Sequence, residues 1–558
     1  MLKSNVINSC SHCELQYISP IFTVPKPNGK HRFILNLKQL NKFIETYHFK
    51  MEDHRTALKL LEHNYYMATI DLQDAYFFIS VNEADRKMLR FEWNSNLYEF
   101  NVLPFGLCTA PYVFTKIIKP VVHYLRSMGL MSVNYLDDFM CIGRTYTECL
   151  ENIKITKQFL ESLGFVINIS KSQLIPSTYC KFLGFNFDTH NMTLNLPQDK
   201  KIRIRDKAKK FIKLKKCTIR QFAEFIGLLT SACPAVQYGW VYTKIFEREK
   251  FLALNNTDNY NKQMILPSHL TTDLNWWATH IMSSFCPFRK QNYVKEIFSD
   301  SSLTGWGIVC GGESARGNWN ESELSLHINT LELKAAFIGL KIFAAKLTNC
   351  ELLLRIDNST AICYINRMGG VQHTHLNNIA RDIWQWCEVR GLFVFASYVK
   401  SSDNVADYGS RLINVDTEWE LADYAFTQIE NCFGILEFDL FASVQNAKYP
   451  RYSSWKHDPD AELIDAFTFS WQSLNFYAFP PFSLVARVLQ KILSDKANGV
   501  LVVPMWPSQA WYPLWSRLIV SKKLVFQPSE HLLFSPFRNY HPLHANLTLV
   551  AARLSGNR

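Results

Sequence analysis

The chain has 558 residues, of which 48% are hydrophobic and 20% are charged, and it contains no low-complexity tract. This composition excludes a disordered or fibrous protein and predicts a globular chain of about three or four domains. The formal net charge of +11 favours a polyanionic partner such as a nucleic acid. No signal peptide or membrane-spanning apolar run is recognisable, so we expect an intracellular protein, in cytoplasm or nucleus, with reduced cysteines.

The first predicted element is a basic β-hairpin near the start of the chain. Asn28-Gly29 lies between two alternating β-type segments, which is a strong signal for a tight hairpin turn. This turn would place Lys26, Lys30 and Arg32 on one basic hairpin. Clustered cations of this kind are suited to gripping a triphosphate.

Two groups of acids follow, both in strand-like surroundings. Asp71 comes directly after an apolar β-type run, and Asp137 and Asp138 lie between the apolar segments 131–133 and 139–142. The second pattern predicts two strands joined by a turn, with the carboxylates at its tip. Paired acids on a rigid hairpin suit a two-metal phosphoryl-transfer site, because hard cations such as Mg²⁺ take carboxylate oxygens. Taken singly, these acids would be better interpreted as ordinary turn or helix N-cap residues.

A basic segment follows at residues 200–216, where Lys and Arg are dense and Asp206 is the single acid. The clustering predicts contacts with a phosphate backbone; one solvated helix face and a nuclear-localisation signal are the alternatives. Residues 218–229 have the apolar spacing of a helix. The candidate nucleic-acid-binding residues are Lys201, Arg203, Arg205, Lys207, Lys209 and Lys210.

A second ordered set of acids occupies the middle of the chain. Asp300 is predicted on a β-hairpin, Glu332 on a long amphipathic helix, Asp357 at the end of a strand and Asp407 on a short helix. Each has an ordinary alternative: Glu332 could close a capping box with Asn329, Asp357 could cap the next helix, and the other two could be surface acids. The order Asp, Glu, Asp, Asp across a β-β-α-β-α pattern favours a second metal site.

Five short motifs follow one another in the first third of the chain. They are a Val-Pro-Lys segment ending at Lys26, a strand ending at Asp71, Leu103-Pro-Phe-Gly106, Tyr135-Leu-Asp-Asp138 and Leu183-Gly-Phe185. Each motif is weak alone, but in this order and at this spacing they resemble the successive motifs of a retroelement reverse transcriptase. The resemblance covers about residues 18–190, and the basic segment at 200–216 falls where that family has its thumb.

This resemblance implies a role for each candidate residue of the first third. The three acids would bind two Mg²⁺ ions, with Mn²⁺ as an alternative, and these would activate the primer 3′-hydroxyl and neutralise the triphosphate. Lys26 and Arg32 would contact the incoming triphosphate. Tyr76 would be the steric gate that leaves no room for a ribose 2′-hydroxyl, although it could also be a packed core aromatic. Phe105 would lie in the nucleotide pocket.

The middle set of acids resembles the ribonuclease H domain that follows polymerases of this family, over about residues 293–412. By that resemblance the four acids would hold two Mg²⁺ ions and cut the RNA strand of an RNA–DNA hybrid. Many relatives carry a His a few residues before the last Asp. The corresponding stretch, Tyr398–Ser402, contains no His, so the resemblance does not extend to that helper residue.

The aromatic-rich last quarter contains Phe479-Pro-Pro-Phe482, which resembles the box of adenine-specific DNA methyltransferases. In that box a polar residue and an aromatic residue hold a flipped base. Here Phe479 replaces the polar residue and no glycine-rich cofactor loop is recognisable, so a structural or nucleic-acid-binding module is favoured over an active methyltransferase. The order polymerase, ribonuclease H and this module resembles the polyprotein segment of a DIRS-type retrotransposon.

The predicted architecture is multidomain, combining α+β and α/β folds: a right-hand polymerase, a ribonuclease H-like α/β domain and a C-terminal α/β methyltransferase-like module. The predicted boundaries are 1–190 for fingers and palm, 191–250 for a basic helical thumb, 251–292 for a linker or connection, 293–412 for the ribonuclease H-like domain and 413–558 for the C-terminal module. The implied partners are an RNA template, a DNA primer, an RNA–DNA hybrid and deoxynucleoside triphosphates, with no membrane. The oligomeric state is not indicated.

We therefore expect an RNA-directed DNA polymerase with ribonuclease H activity. The alternative is a catalytically inactive nucleic-acid-binding remnant, because the chain begins almost at the fingers motif. A generic two-metal nuclease without polymerase activity is disfavoured, since it explains neither Tyr76 nor the Val-Pro-Lys hairpin.

Overall fold

The structure is a computed structural model that describes residues 1–25, 31–254, 258–411, 419–455, 457–458, 460–535 and 539–557, apart from the side chain of Arg32. The described chain divides into two compact units. The first comprises Met1–Thr243 with Asn256–Lys290, and the second comprises Lys244–Asn255 with Gln291–Arg558. Within the described ranges no helix has both the length and the apolar character needed to cross a bilayer.

The α-helices are α1 (His54–Leu60), α2 (Glu83–Arg86), α3 (Ala110–Ser127), α4 (Tyr146–Ser162), α5 (Gln198–Lys213), α6 (Ile219–Thr230), α7 (Lys244–Leu254), α8 (Thr271–His280), α9 (Glu321–Leu324), α10 (Ile328–Phe343), α11 (Ser359–Asn366), α12 (Thr374–Arg390), α13 (Asp407–Arg411), α14 (Asp423–Phe433), α15 (Val485–Ser494) and α16 (Tyr512–Leu518).

The strands of the first unit are β1 (Ile7–Ser9), β2 (Ile21–Pro25), β3 (His31–Leu35), β4 (Tyr66–Asp71), β5 (Arg90–Trp93), β6 (Asn96–Phe100), β7 (Met131–Tyr135), β8 (Asp138–Gly143), β9 (Gln173–Ser177), β10 (Tyr179–Phe182), β11 (Phe185–Asp188), β12 (Thr193–Asn195), β13 (Lys216–Thr218), β14 (Gln263–Ile265) and β15 (Cys286–Pro287). Those of the second unit are β16 (Tyr293–Ser301), β17 (Gly305–Cys310), β18 (Glu313–Asn318), β19 (Glu351–Ile356), β20 (Phe393–Tyr398), β21 (Glu420–Leu421), β22 (Phe438–Asp439), β23 (Ser453–Ser454), β24 (Leu463–Ile464), β25 (Asn475–Ala478), β26 (Asn498–Pro504), β27 (Leu524–Phe526), β28 (Leu533–Phe534) and β29 (Leu549–Ser555).

A four-stranded sheet of order β7-β8-β4-β9 forms the centre of the first unit. Its inner face is apolar, and buried residues of α3 and α4, including Phe114, Ile118 and Ile153, pack on it. Strand β4 is antiparallel to β8 along its whole length. Since both strands are paired and covered, their ends are held rigidly, which makes them good supports for a reactive group.

Both strands of the predicted basic hairpin are present. Strands β2 and β3 pair antiparallel, from Ile21 opposite Leu35 to Pro25 opposite His31. Its turn, with Lys26 and Asn28-Gly29, lies outside the described residues. Arg32 lies on β3, opposite Val24.

Helices α6 and α8 both contact α5 in the first unit. The predicted helix at 218–229 is α6, and its start is fixed by a capping box between Thr218 and Gln221. The stretch 251–292, predicted as a linker or connection, contains α8, which packs on α5 with Leu274 and Trp277 buried. This part of the stretch is therefore a packed element of the first unit.

In the second unit, residues 291–411 form a five-stranded sheet of order β18-β17-β16-β19-β20. Strands β16, β17 and β18 are antiparallel neighbours, whereas β16, β19 and β20 run parallel. Helix α10 lies on β16, and α13 lies on β17. The elements of the predicted β-β-α-β-α pattern are present in order, with β18 and β20 as additional strands.

The C-terminal residues form a second five-stranded sheet of order β22-β25-β26-β29-β27. Strands β22, β25 and β26 are parallel, and β29 is antiparallel to both β26 and β27. Separate apolar cores, one around Trp471 and Trp515 and one around Tyr477 and Phe526, include alternate residues of the central strands. The sheet is therefore covered on both faces, as expected for strands read as continuous apolar runs.

The close contact between β8 and α4 gives a test of this packing. A Cβ at Gly143 would lie 2.3 Å from the backbone nitrogen of Cys149, whereas a Cβ at Gly227 in α6 would meet no described atom within 4 Å. We expect Gly143→Ala to lower the free energy of unfolding by about 1–3 kcal/mol, because backbone must move. Gly227→Ala should raise it by about 0.5–1 kcal/mol, because Ala favours a helix.

Chemical denaturation of both variants, followed by far-ultraviolet circular dichroism, checks these opposite signs. Equal destabilisation of the two variants would contradict the contact between β8 and α4.

Candidate active sites

The first candidate site lies where β4 and β8 end side by side. Asp71 is the last residue of β4 and is paired directly with Asp138, the first residue of β8. Asp137 lies in the turn before β8, where Leu136 has a left-handed backbone with φ of 52°. The Asn134 side-chain amide donates to the carbonyl of Leu136 over 2.8 Å and closes this turn. The structure therefore brings together the three acids that the sequence predicts.

Negative charge is concentrated at this site. Burial and the neighbouring Asp137 and Asp71 raise the pKa of Asp138 to about 6, and burial with Asp71 also raises the pKa of Asp137. The Nζ of Lys171 lies 3.4 Å from both carboxylate oxygens of Asp71. The arrangement is one that a bound divalent cation would stabilise, because it would favour the ionised carboxylates.

The loop Asn168–Ser172 fixes the backbone of Asp71 from the other side. The Asn168 N–H donates to the carbonyl of Asp71 over 2.8 Å, and the Asp71 N–H donates to the hydroxyl of Ser172 over 3.0 Å. The sequence alone assigns no role to the Ser170-Lys171-Ser172 segment. Its contact with Asp71 spans about a hundred residues of chain, and no local pattern in the sequence indicates it.

Tyr76 and Phe105 lie together beside these acids. Tyr76 is buried in a short 3₁₀-helix, Ala75–Phe78, and its ring centroid is 4.9 Å from that of Phe105 and 5.4 Å from that of Phe114. Burial and the charge of Asp137 raise the pKa of the Tyr76 hydroxyl to about 12, so this hydroxyl stays neutral. Phe105 is half exposed and presents an aromatic surface next to the acids. Both interpretations of Tyr76, a packed aromatic and a pocket wall, fit this position.

The loop that carries Phe105 is held by Asn41, which sequence reasoning did not single out as a site residue. The Asn41 side-chain amide donates to the carbonyl of Gly106 over 2.9 Å, and its oxygen accepts from the N–H of Cys108 over 3.0 Å. This bidentate contact connects the segment after β3 to the Leu-Pro-Phe-Gly loop. An Asn shortly after a predicted strand is too common to have been recognised in advance.

The second candidate site lies on the five-stranded sheet of order β18-β17-β16-β19-β20. Asp300 lies on β16, Glu332 on α10 and Asp357 directly after β19. Each of these three residues offers a carboxylate oxygen within 4.8 Å of the others, a geometry that could hold a metal ion. Asp300 and Glu332 are buried and Asp357 is half-buried. Among the described residues, this is the one group of three acidic, His or Cys side chains drawn this close.

Glu332 is the most perturbed acid of this site. Burial, then the charges of Asp300 and Asp357, raise the pKa of Glu332 to about 9. Its Oε2 is buried and has no hydrogen-bond partner among the described residues. A buried carboxylate oxygen without a donor, facing two other acids, has the chemistry of a metal ligand.

Two side chains near Asp407 support Asp300. The hydroxyl of Ser410 donates to Asp300 Oδ2 over 2.5 Å, and the side-chain amide of Asn404 donates to Asp300 Oδ1 over 3.5 Å. Burial, with the charges of Asp357 and Asp407, still raises the pKa of Asp300 to about 6. Sequence reasoning named the segment 402–411 for Asp407 alone and missed Ser410 and Asn404 as partners.

Asp407, the fourth predicted acid, lies at the first residue of α13 and forms an ion pair with Arg411 over 2.6 Å. It is near enough to Asp300 to raise the pKa of that acid, but it lies outside the close group of three. Helix α13 reaches this position because Gly307 lacks a side chain: a Cβ there would lie 2.3 Å from the carbonyl of Ala406.

The helix-capping alternatives for two of these acids are wrong. Helix α10 begins at Ile328 and is capped by His327, so Glu332 lies in the second turn and closes no capping box. Asn358 caps α11 by accepting from the N–H of Ala361, which leaves the carboxylate of Asp357 without a capping role.

The predicted basic helix is α5, and it differs from prediction at Lys201. Lys201 is buried with Ile204, Ala208 and Phe211 on the face that packs inward. Its Nζ donates to the carbonyl of Ser284 over 2.8 Å, so it does not present its charge to a phosphate. Arg203, Lys209 and Lys210 are exposed, Lys207 is half-buried, and Arg205 is half-buried and paired with Asp206 over 2.9 Å.

Part of the chain is similar in sequence to a known protein family. Residues 24–187 match the family model described as reverse transcriptase (RNA-dependent DNA polymerase). This range includes all three acids of the first site. The chain thus contains a reverse transcriptase domain.

The relatives are polyproteins of retrotransposons and viruses. The chain is 26% identical over 191 residues to the transposon Tf2-3 polyprotein of Schizosaccharomyces pombe, covering 34% of this chain and 13% of that protein. It is 29% identical over 174 residues to the retrovirus-related Pol polyprotein from transposon opus of Drosophila melanogaster, covering 30% and 17%. It is 23% identical over 427 residues to the enzymatic polyprotein of cauliflower mosaic virus, covering 71% and 58%. The chain therefore spans between 13% and 58% of the length of these relatives.

Solved structures similar to this chain include two of the foamy viral protease-reverse transcriptase. The complex with double-stranded DNA has a TM-score of 0.46 at 19% identity and covers 71% of this chain and 67% of that chain. The complex with an RNA/DNA hybrid has a TM-score of 0.45 at 18% identity, with coverages of 75% and 55%.

The pKa of Glu332 gives a test of the second site that needs no catalytic assay. The folded protein binds this proton more tightly than the unfolded chain, since the ordinary pKa of 4.5 is raised to about 9. Stability should therefore fall as pH rises through this window, and Glu332→Gln should remove that loss. We expect Glu332→Gln to be more stable than the parent at pH 8 in EDTA, by on the order of 2–4 kcal/mol.

Thermal unfolding of both proteins at pH 5 and pH 8 measures this difference, which should shrink at pH 5. Added Mg²⁺ or Mn²⁺ should stabilise the parent more than the variant. The exposed Glu321→Gln is the matched control and should behave as the parent at both pH values. A pH-independent difference would mean that Glu332 is not a buried, charge-crowded carboxyl.

Proposed function

We propose that this chain is the RNA-directed DNA polymerase and ribonuclease H of a DIRS-type retrotransposon polyprotein. The observation that carries the polymerase assignment is the meeting of Asp71, Asp137 and Asp138 at the paired ends of β4 and β8, inside the range that matches the reverse transcriptase family. The polyprotein names of the relatives support a retroelement origin.

In the proposed polymerase the three carboxylates hold two Mg²⁺ ions, which would stabilise both the attacking 3′-hydroxyl of the primer and the leaving pyrophosphate. The strand pairing keeps the carboxylates of Asp71 and Asp138 next to each other, so little reorganisation is needed on binding. Tyr76 and Phe105 form the wall on which the deoxyribose and base of the incoming nucleotide rest. Lys26 and Arg32, which the sequence analysis predicts on one basic hairpin, bind its triphosphate.

In the proposed ribonuclease H, Asp300, Glu332 and Asp357 hold the metal ions and Asp407 completes the set. The orphaned oxygen of Glu332 and the close approach of the three acids support this arrangement. Metal ions there would activate water and stabilise the leaving 3′-oxygen of the RNA strand. Ser410 and Asn404 keep Asp300 in place. Since residues 398–402 contain no His, product release proceeds without the helper found in many relatives.

The proposed partners are an RNA template, a DNA primer, their hybrid and deoxynucleoside triphosphates. The exposed cations of α5 and the overall charge of +11 favour contact with the duplex backbone. Residues 413–558 serve as a nucleic-acid-binding or structural module without methyl transfer. Phe479 supplies no polar group at the position where a methyltransferase needs one.

Separate loss of the two activities tests this assignment. Asp137→Asn with Asp138→Asn should lower extension of a labelled DNA primer on an RNA template by about 10³-fold or more and leave cleavage of RNA in a hybrid intact. Asp300→Asn should do the reverse. Primer extension and hybrid cleavage by the same preparations, with Mg²⁺ present, measure both effects.

The Asp137→Asn, Asp138→Asn protein is then the control for hybrid cleavage, and Asp300→Asn is the control for primer extension. Normal extension by the Asp137→Asn, Asp138→Asn protein would overturn the polymerase site. Binding of the duplex by the parent with neither activity would instead support the inactive remnant.

The position of Tyr76 predicts how the polymerase selects its sugar. Tyr76→Ala should open the wall beside Asp137 and raise the use of ribonucleotides relative to deoxynucleotides by about tenfold or more, because the excluded volume is lost. Tyr76→Phe keeps the ring and should keep the selectivity. Single-nucleotide incorporation of each sugar type, expressed as a ratio of kcat/KM, gives the measurement. If this kcat/KM ratio is unchanged in Tyr76→Ala, Tyr76 acts in packing and not in sugar selection.

A further inference from the structure

A cavity in the C-terminal module belongs to neither carboxylate site. It has a volume of about 390 Å³ and is lined by the segments that leave the carboxyl ends of β22 and β25, from Leu440 and from Pro481 onward. In sheets with parallel strands, ligands bind in the crevice outside the carboxyl ends of the strands. The volume lies in the range of small-molecule sites, which is about 300–1,000 Å³.

The walls of this cavity are aromatic. Phe441 and Phe467 line it with their ring centroids 5.6 Å apart at a steep angle, and Trp455 is a largely exposed part of the same lining. Both phenylalanines pack against the buried core around Trp471, so their positions are fixed by the fold. Rigid aromatic faces beside an open cavity suit a flat heteroaromatic ring.

The rim of the cavity carries the guanidinium group of Arg487. The guanidinium of Arg487 lies over the ring of Phe467, 3.8 Å from its centroid, and the residue is exposed. Within the described part of the chain Arg487 has no carboxylate partner. An Arg that is held by stacking and free along its edge is well placed to bind a phosphate.

A carboxylate lies on the same lining. Asp465 has a left-handed backbone with φ of 52°, and its Oδ1 accepts the N–H of Phe467 over 3.0 Å. The acid is thereby fixed next to one aromatic wall. A carboxylate at this position can accept a hydrogen bond from an exocyclic amino group or a sugar hydroxyl.

We propose that this cavity binds a nucleotide, with the base against the aromatic walls and the phosphate at Arg487. The same chemistry is offered by a free mononucleotide and by one nucleotide of a single strand. The proposal does not depend on polymerase or ribonuclease H activity, because the cavity shares no residue with either site.

The test uses the full-length chain in EDTA, so that the proposed metal-dependent sites do not hold nucleotide. The probes are 2-aminopurine riboside 5′-monophosphate, the same riboside without phosphate, and a five-residue DNA strand with one central 2-aminopurine, all followed by fluorescence. Arg487→Ala should weaken binding of the monophosphate about tenfold and leave binding of the riboside unchanged. Trp455→Ala, at an exposed position, should weaken both.

Arg517→Ala is the matched control, since Arg517 is an exposed Arg of the same module outside the cavity lining. Thermal unfolding of each variant verifies that it folds. Tighter binding of the DNA strand than of the monophosphate would identify a single strand as the source, and the reverse order would identify a free nucleotide. Absence of binding by the parent, or equal effects of Arg487→Ala and Arg517→Ala, would overturn the proposal, whatever the primer-extension assay gives.

Discussion

Both candidate sites depend on keeping carboxylates close together at buried or half-buried positions. Like charges at such distances repel, and burial disfavours the ionised form of each group, so a chain will separate them unless its backbone prevents it. Paired strands provide that restraint here. Asp71 and Asp138 face each other across a hydrogen-bonded ladder, and Asp300 lies on a strand with neighbours on both sides. The apolar cores beneath these sheets supply the stability that offsets the repulsion.

The two carboxylate sites relieve this repulsion in different ways. At the first site a cation, Lys171, approaches Asp71, and the turn at Asp137 stays partly open to solvent. At the second site the partners of Asp300 are the neutral groups of Ser410 and Asn404, while the nearest cation, Arg411, pairs with Asp407 instead. Burial, and then the charges of Asp300 and Asp357, give Glu332 the most strongly raised pKa of the set. The second site consequently has the greater electrostatic demand for a bound cation.

Local features of this architecture could be predicted from the sequence because they depend on periodicity and turn chemistry. The β7–β8 turn, the β2–β3 strands and helix α6 follow from alternating or helical apolar spacing. Contacts that join distant segments could not be predicted in this way, as Lys171 with Asp71 and Ser410 with Asp300 illustrate. Lys201 is a different case, because its spacing from Ile204, Ala208 and Phe211 marks the inward face of α5. A prediction based on charge density alone overlooks this apolar spacing. The long aliphatic stem of Lys can be buried when its amine donates hydrogen bonds to carbonyl groups, as Lys201 does.

The Phe479-Pro-Pro-Phe482 segment contributes to packing in this structure. It follows β25, the rings of Phe479 and Phe482 pack against each other, and Phe482 also packs against Trp506. Those rings contribute to the apolar core around Tyr477. The cavity is lined instead by other residues of this stretch, namely Pro481, Ser483, Leu484 and Arg487. A side chain committed to a core cannot also swing to stack on a base, so any ligand of this module must be recognised by the cavity walls instead.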